Sequence, residues 1–279
     1  MSIDRLYKRV SEVGPICVGL DPNLSHMPAF TSSLNVEEAI FQYNKAIIDS
    51  TKDLVAVYKP QAAYYESAGL DGLKAYKRTL EYLRSNDCLI INDVKRSDIS
   101  STAAAYAKAY FSGDYEGDFL TLNPYMGLDS IEPYMEYVEK HNKGLFVIIK
   151  TSNPGSKDFE ELMVEDMPLY NHIADRIRDM DGNSVGTSGY RKIGYVIGAT
   201  SKESGEGSRI RDRYGDVFFL VPGYGAQGGG REDALELLND RNGGVINSSR
   251  GIIRAFESSD EDFETATRKA VLKMVEDFR

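Results

Sequence analysis

Two cysteines, Cys17 and Cys88, are too few for a disulfide framework, and both fall in apolar runs that read as strands, where a thiol behaves as a small hydrophobe. The three histidines, His26, His141 and His172, show no metal-ligand spacing. Neither an HExxH pair nor a GxSxG elbow occurs, so the residues offer no zinc site and no hydrolase triad. No apolar stretch approaches the roughly 20 residues needed to span a bilayer, and residues 1–10 alternate charged and apolar side chains. The sequence therefore reads as cytoplasmic, with no membrane partner. Positive charge is also scarce. With 33 basic against 43 acidic side chains, the net charge of -10 leaves no global field to attract nucleic acid, and an anionic ligand must be held by local cations. No low-complexity linker divides the chain, which reads as one domain over 1–279.

What the sequence does contain is a repeated unit. Short apolar runs rich in β-branched residues occupy 16–21, 56–61, 88–94, 119–123, 145–151, 193–200, 217–223 and 244–250. Amphipathic segments lie between them: Ala39, Ile40, Tyr43, Ala46 and Ile47 fall on one helical face, as do Ile99, Ala103, Ala107 and Tyr110. Strands that are apolar throughout are buried on both faces, the mark of a parallel sheet with helical crossovers. Eight such units predict an α/β fold closed into a (β/α)8 TIM barrel. An open doubly wound sheet is the competing architecture. Residues 180–192, rich in Gly, Ser and Asn, read as a surface loop before the sixth strand.

In a barrel the chemistry sits at the carboxyl ends of the strands. Strand one ends in Gly19-Leu20-Asp21-Pro22, strand two in Tyr58-Lys59-Pro60, strand three in Asn92-Asp93-Val94-Lys95-Arg96-Ser97-Asp98 and strand eight in Ser248-Ser249-Arg250. Asp93 and Lys95 are two apart, so a regular strand sends both from one face. Asp21 and Lys59 extend them into an alternating chain of charges that keeps Lys95 cationic and positioned, as a general acid must be. A solvated rim of ion pairs is the plainer reading of any one of these residues, and Asp98 alone reads as the amino-terminal cap of a helix beginning at Ile99.

After strand seven comes Val221-Pro222-Gly223-Tyr224-Gly225-Ala226-Gln227-Gly228-Gly229-Gly230. Its glycines allow backbone to approach a phosphate, the following helix is expected to aim amide groups at it, and Arg250 adds a forked cation. Gly223, Gly225 and Gly228 also satisfy a GxGxxG spacing. A dinucleotide site would want an acidic residue about 20 positions on, where this sequence has Arg250, although an NADP site tolerates an arginine there. Thr151-Ser152-Asn153 could hydrogen-bond a planar heterocycle or simply form a turn, and Asn123-Pro124-Tyr125 is equally open. An aldolase-like lysine forming a Schiff base and a nucleotide-binding module without activity are the rival functions.

Asp93-Val94-Lys95-Arg96-Ser97-Asp98-Ile99 resembles the DxKxxD signature of the orotidine 5'-phosphate decarboxylases of the longer bacterial and archaeal type. Gly19-Leu20-Asp21-Pro22, Lys59-Pro60, Lys150-Thr151-Ser152-Asn153-Pro154 and Val221-Pro222-Gly223 with Gln227 fall in order where that family carries its other motifs. Ser97 departs from the glycine that longer members often have. The resemblance implies decarboxylation of orotidine 5'-monophosphate to uridine 5'-monophosphate, the last step of de novo pyrimidine nucleotide synthesis, with no cofactor and no metal. It implies that Lys95 donates the proton, that Asp93 lies beside the substrate carboxyl, and that Asp21 and Lys59 bind ribose hydroxyls. Ser152 would read the pyrimidine edge, while Pro222, Gln227, Arg250 and the loop glycines would surround the phosphate. It further implies a homodimer in which Asp98, Ile99 and Thr102 reach the neighbouring subunit's site.

Overall fold

The computed structural model describes residues 1–182, 184–199, 205–225 and 228–278. Eight parallel strands, β1 (Ile16–Leu20), β2 (Val57–Pro60), β3 (Ile91–Arg96), β4 (Phe119–Leu122), β5 (Gly144–Lys150), β6 (Ile193–Ile197), β7 (Phe219–Val221) and β8 (Gly244–Ser248), form one sheet in the order β2-β1-β8-β7-β6-β5-β4-β3. Its two ends meet through bridges pairing Tyr58 with Ile90 and Gln61 with Asp93, so the sheet closes and an open doubly wound arrangement is ruled out. Helices α2 (Val36–Thr51), α3 (Ala62–Ser67), α4 (Gly69–Ser85), α5 (Ser100–Phe111), α6 (Glu132–Lys140), α7 (Leu169–Asp181), α8 (Glu206–Arg213), α9 (Arg231–Glu236), α10 (Arg250–Ile253) and α11 (Phe263–Phe278) cover the outside. The expected runs overshoot most strands by one to three residues, because they take in strand-end residues such as Asp21, Gln61, Asn123, Thr151 and Ser249, where ladder pairing has stopped.

The period of two divides the core. Ile16, Val18, Leu120, Val147 and Phe219 face the helices, whereas Cys17, Val57, Ile91, Phe119, Phe146, Val196, Leu220 and Val245, one from each strand, fill the lower barrel. In α2 the expected face is buried at Ala39, Ile40, Tyr43 and Ile47. Ile99, by contrast, is 43% exposed and precedes α5 instead of belonging to its buried face of Ala103, Ala107 and Tyr110.

Two features close the barrel floor, and the sequence pattern missed both. Helix α1 (Ser2–Val13) lays Ile3, Leu6, Val10 and Val13 across the amino-terminal ends of the strands, joining the inner cluster. The expected surface loop at 180–192 holds for its middle, where Gly182, Val185, Thr187 and Gly189 are exposed, but its two ends are built into the fold. Met180 and Asp181 end α7, and Tyr190 is buried between Tyr7 and Phe218, with ring centroids 5.6 and 5.4 Å away. Arg191 is buried too, 2.7 Å from Asp216. The Gly-Ser-Asn composition describes the turn well, but one aromatic ring meeting the floor decides where the segment lies.

Asp181 is costly in this position. Neither carboxylate oxygen has a hydrogen-bond partner among the described residues, and Arg191 stands 3.7 Å off. Burial pushes the carboxyl up to about 7, against the pull of Arg191 and Lys192. A folded-state value above the unfolded one means that the folded protein holds a proton the unfolded chain has released, so this group's contribution to stability falls as pH rises from about 4 to 7. Asp181→Asn is expected to match the parent near pH 4 and to exceed it at pH 8 by on the order of 2 kcal/mol in urea unfolding. Parallel stability profiles for the two proteins would refute this.

Candidate active site

Above the apolar floor, the same inward-facing rows turn polar at the carboxyl ends of the strands. Lys59 and Gln61 follow Val57, Asp93 and Lys95 follow Ile91, Thr121 follows Phe119, and Asp21 follows Cys17. They converge on Asp93. Its Oδ2 accepts from Lys59 Nζ at 2.6 Å and Gln61 Nε2 at 3.0 Å; its Oδ1 accepts from Lys95 Nζ at 2.5 Å and Thr121 Oγ1 at 3.1 Å. Four donors occupy a carboxylate with about four lone-pair positions, so the group is fixed in orientation.

The electrostatics follow from this geometry. Burial opposes ionisation of Asp93, but Lys59 and Lys95 outweigh it and hold the carboxyl well below the usual aspartate range. Burial likewise opposes the Lys59 cation, and the nearby Asp93 and Asp21 carboxylates reverse the balance and raise it. Asp21 differs. Burial pushes its carboxyl up despite Lys59 and a hydrogen bond from Ser249, and its Oδ1 is enclosed without a partner among the described residues. A ligand hydroxyl is the group that such an acceptor lacks.

Lys95 reaches Asp93 differently from the way simple alternation predicts. The β3–β4 register breaks between Asn92 and Arg96, and Lys95 has a φ of +47°, a left-handed backbone rare outside glycine. The bulge leaves Asp93 buried and Lys95 half-exposed at the mouth, with the two side chains still joined. Close approach on the other flank depends on Gly19, where a Cβ would lie 1.8 Å from Ser249 Oγ. That contact brings the end of β8 against β1 beside Asp21.

The loop after β7 folds back on itself through a bridge between Tyr224 and Gly229. Gly223, Gly225 and Gly228 have φ of +97°, +72° and +90°, which explains glycine at these points. The Pro222 carbonyl accepts from Ala199 N at 3.0 Å, tying the loop to β6. Gln227 lies outside the described residues. Just before helix α9, the Gly230 N–H is already taken, donating to Asp233 at 2.9 Å. Arg250 begins α10 instead of ending β8; it is exposed and makes no ion pair with a described residue.

Asp98 does not cap α5: the helix starts at Ser100, and Asp98 Oδ1 accepts from the adjacent Ile99 N–H at 2.9 Å. Thr102 is exposed on the first turn of α5. Thr151 donates to Glu160 through N–H and hydroxyl at 2.8 and 2.7 Å, and Asn123 Oδ1 accepts from Tyr125 N at 3.0 Å, which makes Asn123 a turn former. Ser152 lines a cavity of about 960 Å³ with Lys150, Glu206 and Gly228. Lys150 is a buried strand-end cation outside the Asp93 cluster; a register slip after Ile148 accompanies its turn toward Glu206, 2.8 Å away. Among the described residues no group of three His, Cys, Asp or Glu side chains is arranged to hold a metal, and no helix is long and apolar enough to cross a membrane. Gln61 and Thr121 were missed in the sequence, although each sits two residues beyond an inward-facing position and the period of two could have found them.

The model of the orotidine 5'-phosphate decarboxylase / HUMPS family matches residues 14–261. The chain belongs to this family. The orotidine 5'-phosphate decarboxylase of Clostridium novyi is 52% identical over 278 residues, covering 98% of this chain and 96% of that protein. The one from Petrotoga mobilis is 49% identical over 286 residues, covering 100% and 98%. Among solved structures, Leishmania donovani OMP decarboxylase superposes with a TM-score of 0.80 at 31% identity, over 99% of this chain and 96% of that one. The Methanocaldococcus jannaschii enzyme complexed with the inhibitor BMP has a TM-score of 0.67 at 19% identity, over 96% of this chain and 99% of that one, a likeness of fold alone. Membership in this decarboxylase family agrees with the closed barrel and with the DxKxxD run that carries Asp93 and Lys95.

Proposed function

We propose that this chain, working as one barrel domain over 1–279, decarboxylates orotidine 5'-phosphate to uridine 5'-phosphate without a cofactor, and that Lys95 delivers the proton to C6. The observation that carries the reading is the Asp93 carboxylate, saturated by four donors and joined to two ammonium groups at the barrel mouth. Departure of carbon dioxide from C6 leaves an electron pair in the plane of the ring, where no carbonyl conjugates with it. Stabilisation then falls to charge already in place, and an ammonium held by Asp93 needs little reorganisation to meet the developing carbanion. The same ammonium supplies the proton that replaces the carboxyl group.

Asp21, with its unpartnered enclosed oxygen, and Lys59 are assigned to the ribose hydroxyls. Ser152 is assigned to the pyrimidine edge. Pro222, Gln227, Arg250 and the glycines at 223, 225 and 228 are assigned to the phosphate, whose binding energy, remote from C6, can be used to assemble the site. Asp98, Ile99 and Thr102 are assigned to the partner's site in a homodimer; the exposure of Ile99, 43%, and of Thr102 at the start of α5 supports this.

The test is the ultraviolet absorbance of orotidine 5'-monophosphate after addition of purified protein in buffer containing a chelator. Loss of the orotate chromophore with formation of uridine 5'-monophosphate is the expected result. A persistent chromophore together with tight binding of uridine 5'-monophosphate would instead mark a nucleotide-binding module.

A further inference from the structure

We infer that Thr121 is a positioning residue for Lys95, its hydroxyl fixing both the backbone and the counter-ion of that lysine. The inference rests on the reading of Lys95 as proton donor. Register pairs Asn92 with Leu120 and Arg96 with Leu122, so three residues of β3, Asp93, Val94 and Lys95, stand opposite the single residue Thr121. A bulge of this kind takes backbone N–H groups away from the carbonyls that would normally receive them. Here the Thr121 side chain replaces the ladder: its Oγ1 accepts from the N–H of Val94 and the N–H of Lys95, both at 2.9 Å. Its own proton goes to Asp93 Oδ1 at 3.1 Å. A hydroxyl has one donor and two acceptor positions, and all three are in use.

The consequence for Lys95 is direct. A non-glycine residue at φ +47° persists only where its surroundings over-determine it, and the Thr121 contacts hold that residue's own amide. The atom that receives the Thr121 proton is the same Oδ1 that receives the Lys95 ammonium. One buried side chain, 1% exposed, therefore ties together the strained backbone, the ammonium's anchor and the neighbouring strand. Valine has the same shape as threonine but none of these bonds. Serine has all of them.

Three variants at this position separate positioning from bulk structure. Thr121→Val and Thr121→Ala, the second leaving room for a water, are each expected to lower kcat by roughly 30-fold or more while KM and the Kd for uridine 5'-monophosphate stay within about threefold. Thr121→Ser is expected to recover kcat to within about threefold of the parent. Turnover by the Val and Ala proteins within threefold of the parent overturns the inference; so does a loss carried by KM, or a Ser variant as slow as Val. Lys95→Ala run alongside distinguishes the premise: if it retains turnover, the donor assignment fails, whereas an inactive Lys95→Ala beside fully active Val and Ala variants removes only the role of Thr121.

Discussion

Lys95→Ala is expected to lower kcat on orotidine 5'-monophosphate by on the order of 10⁴-fold, because it removes the proton donor and the nearest charge facing the carbanion together. Affinity for uridine 5'-monophosphate should change little. Lys95 is half-exposed at the barrel mouth, and its loss leaves Asp93 still paired with Lys59 and bonded by Gln61 and Thr121, so the fold should keep its stability. Arg250→Ala should behave in the opposite way, raising KM by roughly 10- to 100-fold, the worth of a charged hydrogen bond to phosphate, with a smaller effect on kcat. Steady-state kinetics on the two variants, each with and without added phosphite, reads the division of labour. Equal losses in both proteins, both restored by phosphite, would contradict it.

Asp93→Asn is expected to reduce both activity and stability. The amide presents donors to ammonium groups that are themselves donors, and Lys59, whose side chain is 6% exposed, is left beside Asp21 without its closest counter-ion. Removing one member of a buried pair costs on the order of 3–5 kcal/mol, so a large drop in the urea midpoint at pH 7 should accompany a loss of turnover of about 10³-fold. The sign with pH is fixed by the direction of the shift. Asp93 is held below its ordinary range in the folded state, so its contribution is complete above about pH 4 and disappears as pH falls through the folded value. The stability gap between parent and Asp93→Asn should therefore be constant from neutral pH down to about 5 and narrow only in stronger acid. A variant as stable and active as the parent at pH 7 would show that the carboxylate is one more member of a decorative rim of charges.

Much of this was legible in the chain. The eight apolar runs are the eight strands because each is buried on both faces, and a doubly buried strand has no polar row to disguise it. The candidate charges were legible because a strand end in a barrel is a place, so Asp21, Lys59, Asp93 and Lys95 could be put on one rim from their positions alone. The pairing between Asp93 and Lys95 follows from a separation of two. Their mutual arrangement does not, because the bulge that gives Lys95 its positive φ belongs to the pairing of β3 with β4.

What only the tertiary structure decided has one common cause: contacts between residues far apart in sequence. Thr121 and Gln61 are ordinary strand residues until the closed sheet brings them to Asp93, 28 and 32 positions away. Tyr190 sits in a run with the composition of a loop, yet its ring reaches the barrel floor. Arg250 reads as a strand end and begins a helix, since pairing with β7 stops at Ile246 and pairing with β1 at Ser248. Local sequence fixes periodicity and the kinds of groups available; closure of the barrel chooses which of them share a hydrogen bond, because a carboxylate with four acceptor positions is filled by whichever donors the ring of strands brings within 3 Å or so.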